Sequence, residues 1–374
     1  MLKTTGKEIT TFLFLRTHNK LTRLLFCFIF LFFALCNGQG KPTDTIYVKA
    51  YDSLKSTLNG EKDVSFKKSV FITENAYSDN ELSYDDFLNQ ISRLTLIATA
   101  WGKHNSLSNY KYSDSAQVKK ALSIFAVMKD TVLIEFSEKQ LISLHPYNYD
   151  FDDFFGKQDW TKMFVTKLLS TNSGNCHSMP FLYKILADEL GASKVWLAFA
   201  PSHIYIKNRN EKTGWYNTEL TSGQFPMDAL ITASGYISMD AIRSGIYMDT
   251  LSNRQAVAQC VLDLAKGYER KTHNYSDSFI VRCCDLVLKF HPNNINAIIY
   301  KAETLKRIYW IFKDKDVAYA ADLYKDMETL YLKAMDLGYK EMSEKMYRQW
   351  LESVIKQKSK YTNQKAVSIV RSKA

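Results

Sequence analysis

Apolar residues recur along much of the chain at three- and four-residue spacing, the period of a helix with one buried face. Phe87, Ile91, Leu94, Leu96 and Ile97 do so after Tyr84-Asp85-Asp86, and Val118, Ala121, Leu122, Ile124 and Phe125 do so within residues 116–128. Met163, Phe164, Leu168 and Leu169 predict a helix over 160–170. Another is predicted through Met179, Leu182, Tyr183, Leu186 and Leu190, with Gly191 as its C-terminal cap and Pro180 tolerated in the first turn. Residues 131–136 are apolar and β-branched and predict a strand, as do residues 194–200. After a Pro201-Ser202 corner, residues 203–207 and 215–220 read as a hairpin closed through 208–214. Residues 147–155 alternate aromatic and acidic side chains and read as a loop anchored by its rings. From Ser252 onward the pattern is helical to the end, with Val257, Val261 and Leu264 on one helix and Val281, Leu286 and Leu288 on the next.

Aligning Asp285-Leu286-Val287-Leu288 with Leu332-Lys333-Ala334-Met335 gives an offset of 47 residues. That is a helix-pair repeat of about 34 residues with roughly 13 inserted, expected around 313–321. The first 40 residues differ in kind. Basic residues precede twelve apolar ones, Leu24 to Leu35, and then small residues. Such a run is too short for a permanent span of a bilayer about 30 Å thick. It predicts a signal peptide over residues 1–38, cleaved after Gly38, and an exported protein of the bacterial periplasm or cell surface.

The 374 residues, 46% hydrophobic and 24% charged, have the proportions of a globular protein and exclude a disordered or multi-span chain. The net charge of +10 is spread along the chain without an aromatic-interleaved basic stripe, so nucleic acid is not an expected partner. Membrane contact is expected only through the signal segment. Beyond that segment four cysteines remain, Cys176, Cys260, Cys283 and Cys284, without a C-x-x-C pair, and no metal site is expected. Export permits a disulfide between Cys260 and Cys283 or Cys284; buried thiols on helices are the alternative.

One segment carries chemistry. Cys176 follows a Gly-containing loop and opens a helix, where free N–H groups and the dipole favour thiolate and form part of an oxyanion hole. His203 opens a strand 27 residues later. On the partner strand Trp215, Asn217 and Glu219 alternate onto one face, so either Asn217 or Glu219 is placed to orient the imidazole. His177 is expected to be exposed and takes no role; Ser173 and Asn175 are expected to be turn and cap residues.

At these residues the chain resembles the transglutaminase-like superfamily, which places Gly-x-Cys at a helix start, a His on a following strand and an Asp on the next. Gly174-Asn175-Cys176, His203 and residues 214–219 stand in those places, with Glu219 where the family has Asp. Joined to tetratricopeptide-like helices, such a domain is similar to the SirB-type bacterial branch. The resemblance spans roughly residues 70–230. It implies an α+β, papain-like domain over 41–250, with the cysteine's helix packed on an antiparallel sheet, followed by an all-α tetratricopeptide-like region over 251–374. It further implies acyl transfer at Cys176, with His203 as base and Glu219 or Asn217 orienting it, acting on a peptide or protein without cofactor or metal. The competing expectation is a non-catalytic module that binds a protein partner through its helical repeats.

Overall fold

The computed structural model describes residues 42–137, 140–356 and 362–370, so the segment read as a signal peptide lies outside the described residues. Among the described residues no helix is long and apolar enough to cross a membrane. Two compact units divide between Val48 and Lys49, inside α1 (Pro42–Asn59), and every later element belongs to the second.

Serine hydroxyls start the first helices of that unit. Ser65 accepts the Lys68 N–H at α2 (Phe66–Tyr77), and Ser83 accepts the Asp86 N–H at α3 (Tyr84–His104). In α3, Asp85 and Asp86 lie in the first turn and Lys103 and His104 in the last, the charge order a helix dipole favours. Its buried stripe is Phe87, Ile91, Leu94 and Ala98; Leu96, also expected on the apolar face, is 70% exposed, because two residues past Leu94 the helix has turned to solvent. α4 (Ser115–Lys129) leads into the hairpin of β1 (Val132–Ser137) and β2 (Gln140–Leu144).

The helix predicted over 160–170 is broken. A 3-10 turn, Trp160–Met163, ends at the extended residue Phe164, and α5 (Val165–Thr171) begins afresh. The cause is remote in sequence: the buried Glu74 carboxylate accepts the N–H groups of Val165 (2.7 Å) and Thr166 (2.9 Å) at the new helix start. Next, β3 (Asn148–Tyr149) pairs in parallel with β4 (Ser173–Gly174). A Cβ at Gly174 would meet Ser178 Oγ at 2.5 Å and Leu168 Cδ1 at 2.8 Å, so the chain passes here only without a side chain.

α6 (Ser178–Leu190) ends at Gly191, whose φ of 62° a residue without Cβ adopts freely. It is buried nearly all round, between α3 and α4 and the antiparallel sheet of β5 (Val195–Ala200), β6 (His203–Asn210) and β7 (Gly214–Thr218), with β6 central. Ala200 pairs with His203 across the Pro201-Ser202 corner, where Ser202 takes a left-handed φ of 56°. The hairpin turn is tighter than predicted: β6 runs on to Asn210, which pairs with Gly214.

After the short helices α7 (Asp228–Ser234) and α8 (Met239–Arg243), Ser252 and Gln255 form a capping box that starts α9 (Asn253–Thr272). Then follow α10 (Phe279–Phe290), α11 (Ile295–Phe312), α12 (Val317–Asp336), α13 (Glu344–Lys356) and α14 (Gln364–Val370); α9 packs on α10, α10 on α11 and α11 on α12. The insertion expected at 313–321 is not a loop. Four residues join α11 to α12, and the extra length lies in the two helices, whose Leu305, Ile308 and Leu323 share a core with Phe312 and Met327. The fold is mixed α+β, with small sheets and a run of helices from Asp228 onward.

Candidate active site

Cys176 stands in the turn between β4 and α6, two residues ahead of the helix. Asn175 builds that turn. Its Oδ1 accepts the N–H groups of His177 (2.9 Å) and Ser178 (3.1 Å), and its Nδ2 donates to the Phe154 carbonyl (3.1 Å). This is the cap the sequence predicts, with a consequence for the oxyanion hole expected from the first-turn amides. Two of them are held by Asn175, whereas the Cys176 N–H makes no hydrogen bond among the described residues.

His203, first residue of β6, faces the turn. Its Nε2 lies 2.6 Å from Glu219 Oε2, and Glu219 Oε1 accepts the Thr221 N–H at 2.8 Å. The chain bends into this position just past β7, where Glu219 pairs with Gln224 in an isolated bridge. Asn217, the other candidate, is not brought to the imidazole. Its Nδ2 donates to the Pro226 carbonyl (3.0 Å) and to Asp228 Oδ1 (2.7 Å).

The other ring nitrogen leads to the thiol through a residue the sequence reading missed. His203 Nδ1 is 3.2 Å from the Tyr347 hydroxyl, which in turn donates to Cys176 Sγ at 3.1 Å. Tyr347 lies on α13, whose Tyr347, Trp350 and Leu351 are spaced as a buried helical stripe; that spacing foretells burial but not the target. Trp350 packs edge-on against the imidazole at 4.4 Å, and Phe154 and Phe155 of the aromatic loop pack on the Tyr347 ring. Tyr149, set opposite Gly174 by the β3–β4 pairing, lies beside both the thiol and the Tyr347 hydroxyl. Cys176 is 6% exposed, His203 and Glu219 4% each, and Tyr347 is fully buried.

Electrostatics follow from this packing. Burial pushes the Cys176 thiol pKa up, but the hydrogen bond and charge of His203, with the Tyr347 hydroxyl, outweigh it and hold the pKa below the ordinary thiol value. Burial alone would lower the His203 pKa; the Glu219 carboxylate and the thiol raise it to about 10. Glu219 is desolvated too, yet the imidazolium keeps it below the usual carboxylate range. Burial raises the Tyr347 phenol, which stays neutral. With an imidazolium Nδ1–H donating to the Tyr347 oxygen and its O–H donating to the thiolate, one neutral hydroxyl joins the two charges.

The remaining cysteines are free and buried, so no disulfide joins Cys260 to Cys283 or Cys284. Burial raises the thiol pKa of all three, that of Cys284 to about 12. His177, expected to be exposed, is buried: Nδ1 lies 2.9 Å from the Met163 carbonyl and Nε2 2.9 Å from Asp263 Oδ2. These two bonds hold its ring against Met163 and α9 rather than toward His203.

Cys176, Ser202 and His203 line a cleft of about 740 Å³, whose wall includes Gln259, Lys266 and Arg270 of α9. No group of His, Cys, Asp and Glu among the described residues is arranged to hold a metal ion.

No protein-family model matches the chain, and no curated protein matches it significantly. Among solved structures it is similar to menin, in a crystal structure described as revealing the binding site for Mixed Lineage Leukemia (MLL) protein. The similarity covers 83% of this chain and 74% of that one at 12% identity, with a TM-score of 0.32, too low to carry an argument about fold or function.

Proposed function

We propose that the protein is a cysteine-dependent acyl-transfer enzyme of transglutaminase-like, papain-like type, acting on amide bonds of peptides or proteins. The supporting observation is the unbroken chain Cys176–Tyr347–His203–Glu219 beside an open cleft. The Cys176 thiolate adds to the substrate carbonyl carbon, and the carbonyl π electrons move to oxygen, stabilised by the free Cys176 N–H. As the C–N bond breaks, the departing amine takes a proton that originates at His203 Nδ1 and passes through the Tyr347 hydroxyl. A thioester remains. Water or a second amine returns a proton to Nδ1 by the same path and attacks the thioester; the C–S bond breaks and the thiolate is restored. Water gives hydrolysis, an amine gives transfer, and Glu219 keeps Nε2–H paired throughout. With residues 1–38 read as a signal peptide, the substrates are cell-envelope peptides or secreted proteins.

A second reading, a non-catalytic binding module, is favoured by one feature: the Tyr347 hydroxyl occupies the space between thiol and imidazole. A screen of amide substrates with the wild-type protein and Cys176→Ala separates the two. Turnover that disappears in a folded Cys176→Ala protein is the expected result. Turnover equal in both proteins overturns the role of Cys176, and a cleft that binds peptides without cleaving or joining them supports the module instead.

A further inference from the structure

The cleft has a wall whose polar groups the acyl-transfer chemistry leaves unused. α9 turns Gln259, Lys266 and Arg270 toward it, spaced by seven and four residues and therefore on one helical face. Gln259 is 2% exposed, and its Nε2 is spent on Asp263 Oδ1 at 3.0 Å. That bond fixes the amide's orientation, because a carboxylate accepts only from the NH2 end. Gln259 Oε1 is left buried with no hydrogen-bond donor among the described residues. Such an acceptor costs about 1–3 kcal/mol unless a donor meets it.

Two turns further along, the Lys266 ammonium has neither hydrogen bond nor salt bridge among the described residues, although Asp263 acts on it electrostatically. Burial holds its pKa below the ordinary lysine value, the sign of a desolvated cation that gains by meeting an anion. The Arg270 guanidinium stacks over the Trp160 ring at 4.4 Å and forms no salt bridge among the described residues. The acid on this wall is already satisfied: Glu269 is bound by Arg307 and Tyr300. Asp263 is likewise held by His177 and Gln259. The face therefore offers one unmet acceptor and two unmet cations.

We propose that this wall is the substrate-recognition site for an acidic peptide, with Gln259 Oε1 accepting a backbone N–H and Lys266, assisted by Arg270, pairing with a carboxylate. The inference rests on the reading of Cys176 as the nucleophile, which makes a peptide the occupant of the cleft. Seven helical residues rise about 10 Å, and an extended peptide covers that distance in about three residues. The recognised carboxylate therefore lies about three residues from the recognised N–H. It is a glutamate or aspartate side chain, or a chain-terminal carboxylate.

The test reads binding apart from chemistry. Fluorescein-labelled hexapeptides carrying two glutamates, or two glutamines instead, are titrated by anisotropy onto the full-length Cys176→Ala protein at low and at moderate salt. The acidic peptide should bind at least about tenfold more tightly, a preference that shrinks with salt. Lys266→Gln should abolish the preference, Lys266→Arg should restore most of it, and Arg270→Gln, at an exposed position, should reduce it in part. Equal binding of the two peptides, or an undiminished preference in both Lys266→Gln and Arg270→Gln, overturns the proposal. So does an oligonucleotide that displaces the acidic peptide as well as unlabelled peptide does. Thiol labelling of the wild-type protein reports separately on Cys176, so loss of the nucleophile reading and loss of the recognition site give different results.

Discussion

Tyr347 shapes how Cys176 and His203 communicate, because its hydroxyl is hydrogen-bonded to both the thiol and the imidazole. It stabilises the thiolate by donating to it, so Tyr347→Phe removes a charge-assisted bond from a buried anion. The thiol pKa should then rise by about one pH unit, the equivalent of about 1.4 kcal/mol. The rate of Cys176 alkylation against pH reads this directly; an unmoved or lowered midpoint contradicts the bridging role. Cys176 and His203 were legible from sequence because a helix start and a strand start have local signatures. Glu219 and Asn217 were not separable, since both fall on one face of an alternating strand. What separates them is that β7 ends at Thr218, letting Glu219 turn to His203, while Asn217 is claimed by Asp228 from the next helix. Tyr347, 171 residues from Cys176, left only the stripe of an amphipathic helix.

At the level of elements, the turn holding Cys176 depends on close passage of chain segments more than on local propensity. Gly174 is the narrowest point. Gly174→Ala should cost about 1–3 kcal/mol, because the Leu168 and Ser178 side chains must both give way. Denaturant unfolding measures the loss; a change below about 0.5 kcal/mol would show that the turn relaxes freely. The bounds of helices α3, α4 and α6 and of strands β5 to β7 agree with hydrophobic spacing to within a few residues, although Leu96 of the α3 pattern faces solvent. The break at Phe164 was invisible, because the carboxylate that caps α5 belongs to Glu74 on α2. The roughly 13 residues expected to be inserted around 313–321 are taken up by a four-residue junction and by the length of the flanking helices α11 and α12.

Across the whole molecule, the cleft beside Cys176 draws on segments far apart in the chain. The loop at 147–155 supplies rings, β6 the imidazole, α9 the polar wall and α13 the bridging hydroxyl. The mixed α+β class was legible from pattern alone. The convergence of the C-terminal helices on the thiol was not, because hydrophobic periodicity states which face is buried and not against what. The same convergence sets the pH behaviour. His203, with a pKa raised to about 10 in the fold against 6.5 ordinarily, lends stability in full below about 6.5, and that stability is lost as pH rises toward 10. Glu219, lowered in the fold, contributes above the ordinary carboxylate range and ceases to do so as acid protonates it.

A buried sulfur can be anionic at neutral pH only while a charged imidazole, wired to it, sits opposite. Site-resolved alkylation of the wild-type protein with iodoacetamide across pH 5–10, followed by peptide mass spectrometry, measures this at Cys176 while Cys260, Cys283 and Cys284 serve as internal references. Selective modification of Cys176, on a plateau reached well below the ordinary thiol pKa of about 8.5, is the result expected. Modification of Cys176 no faster than that of the other three, rising only through or above the ordinary thiol range, would contradict the account.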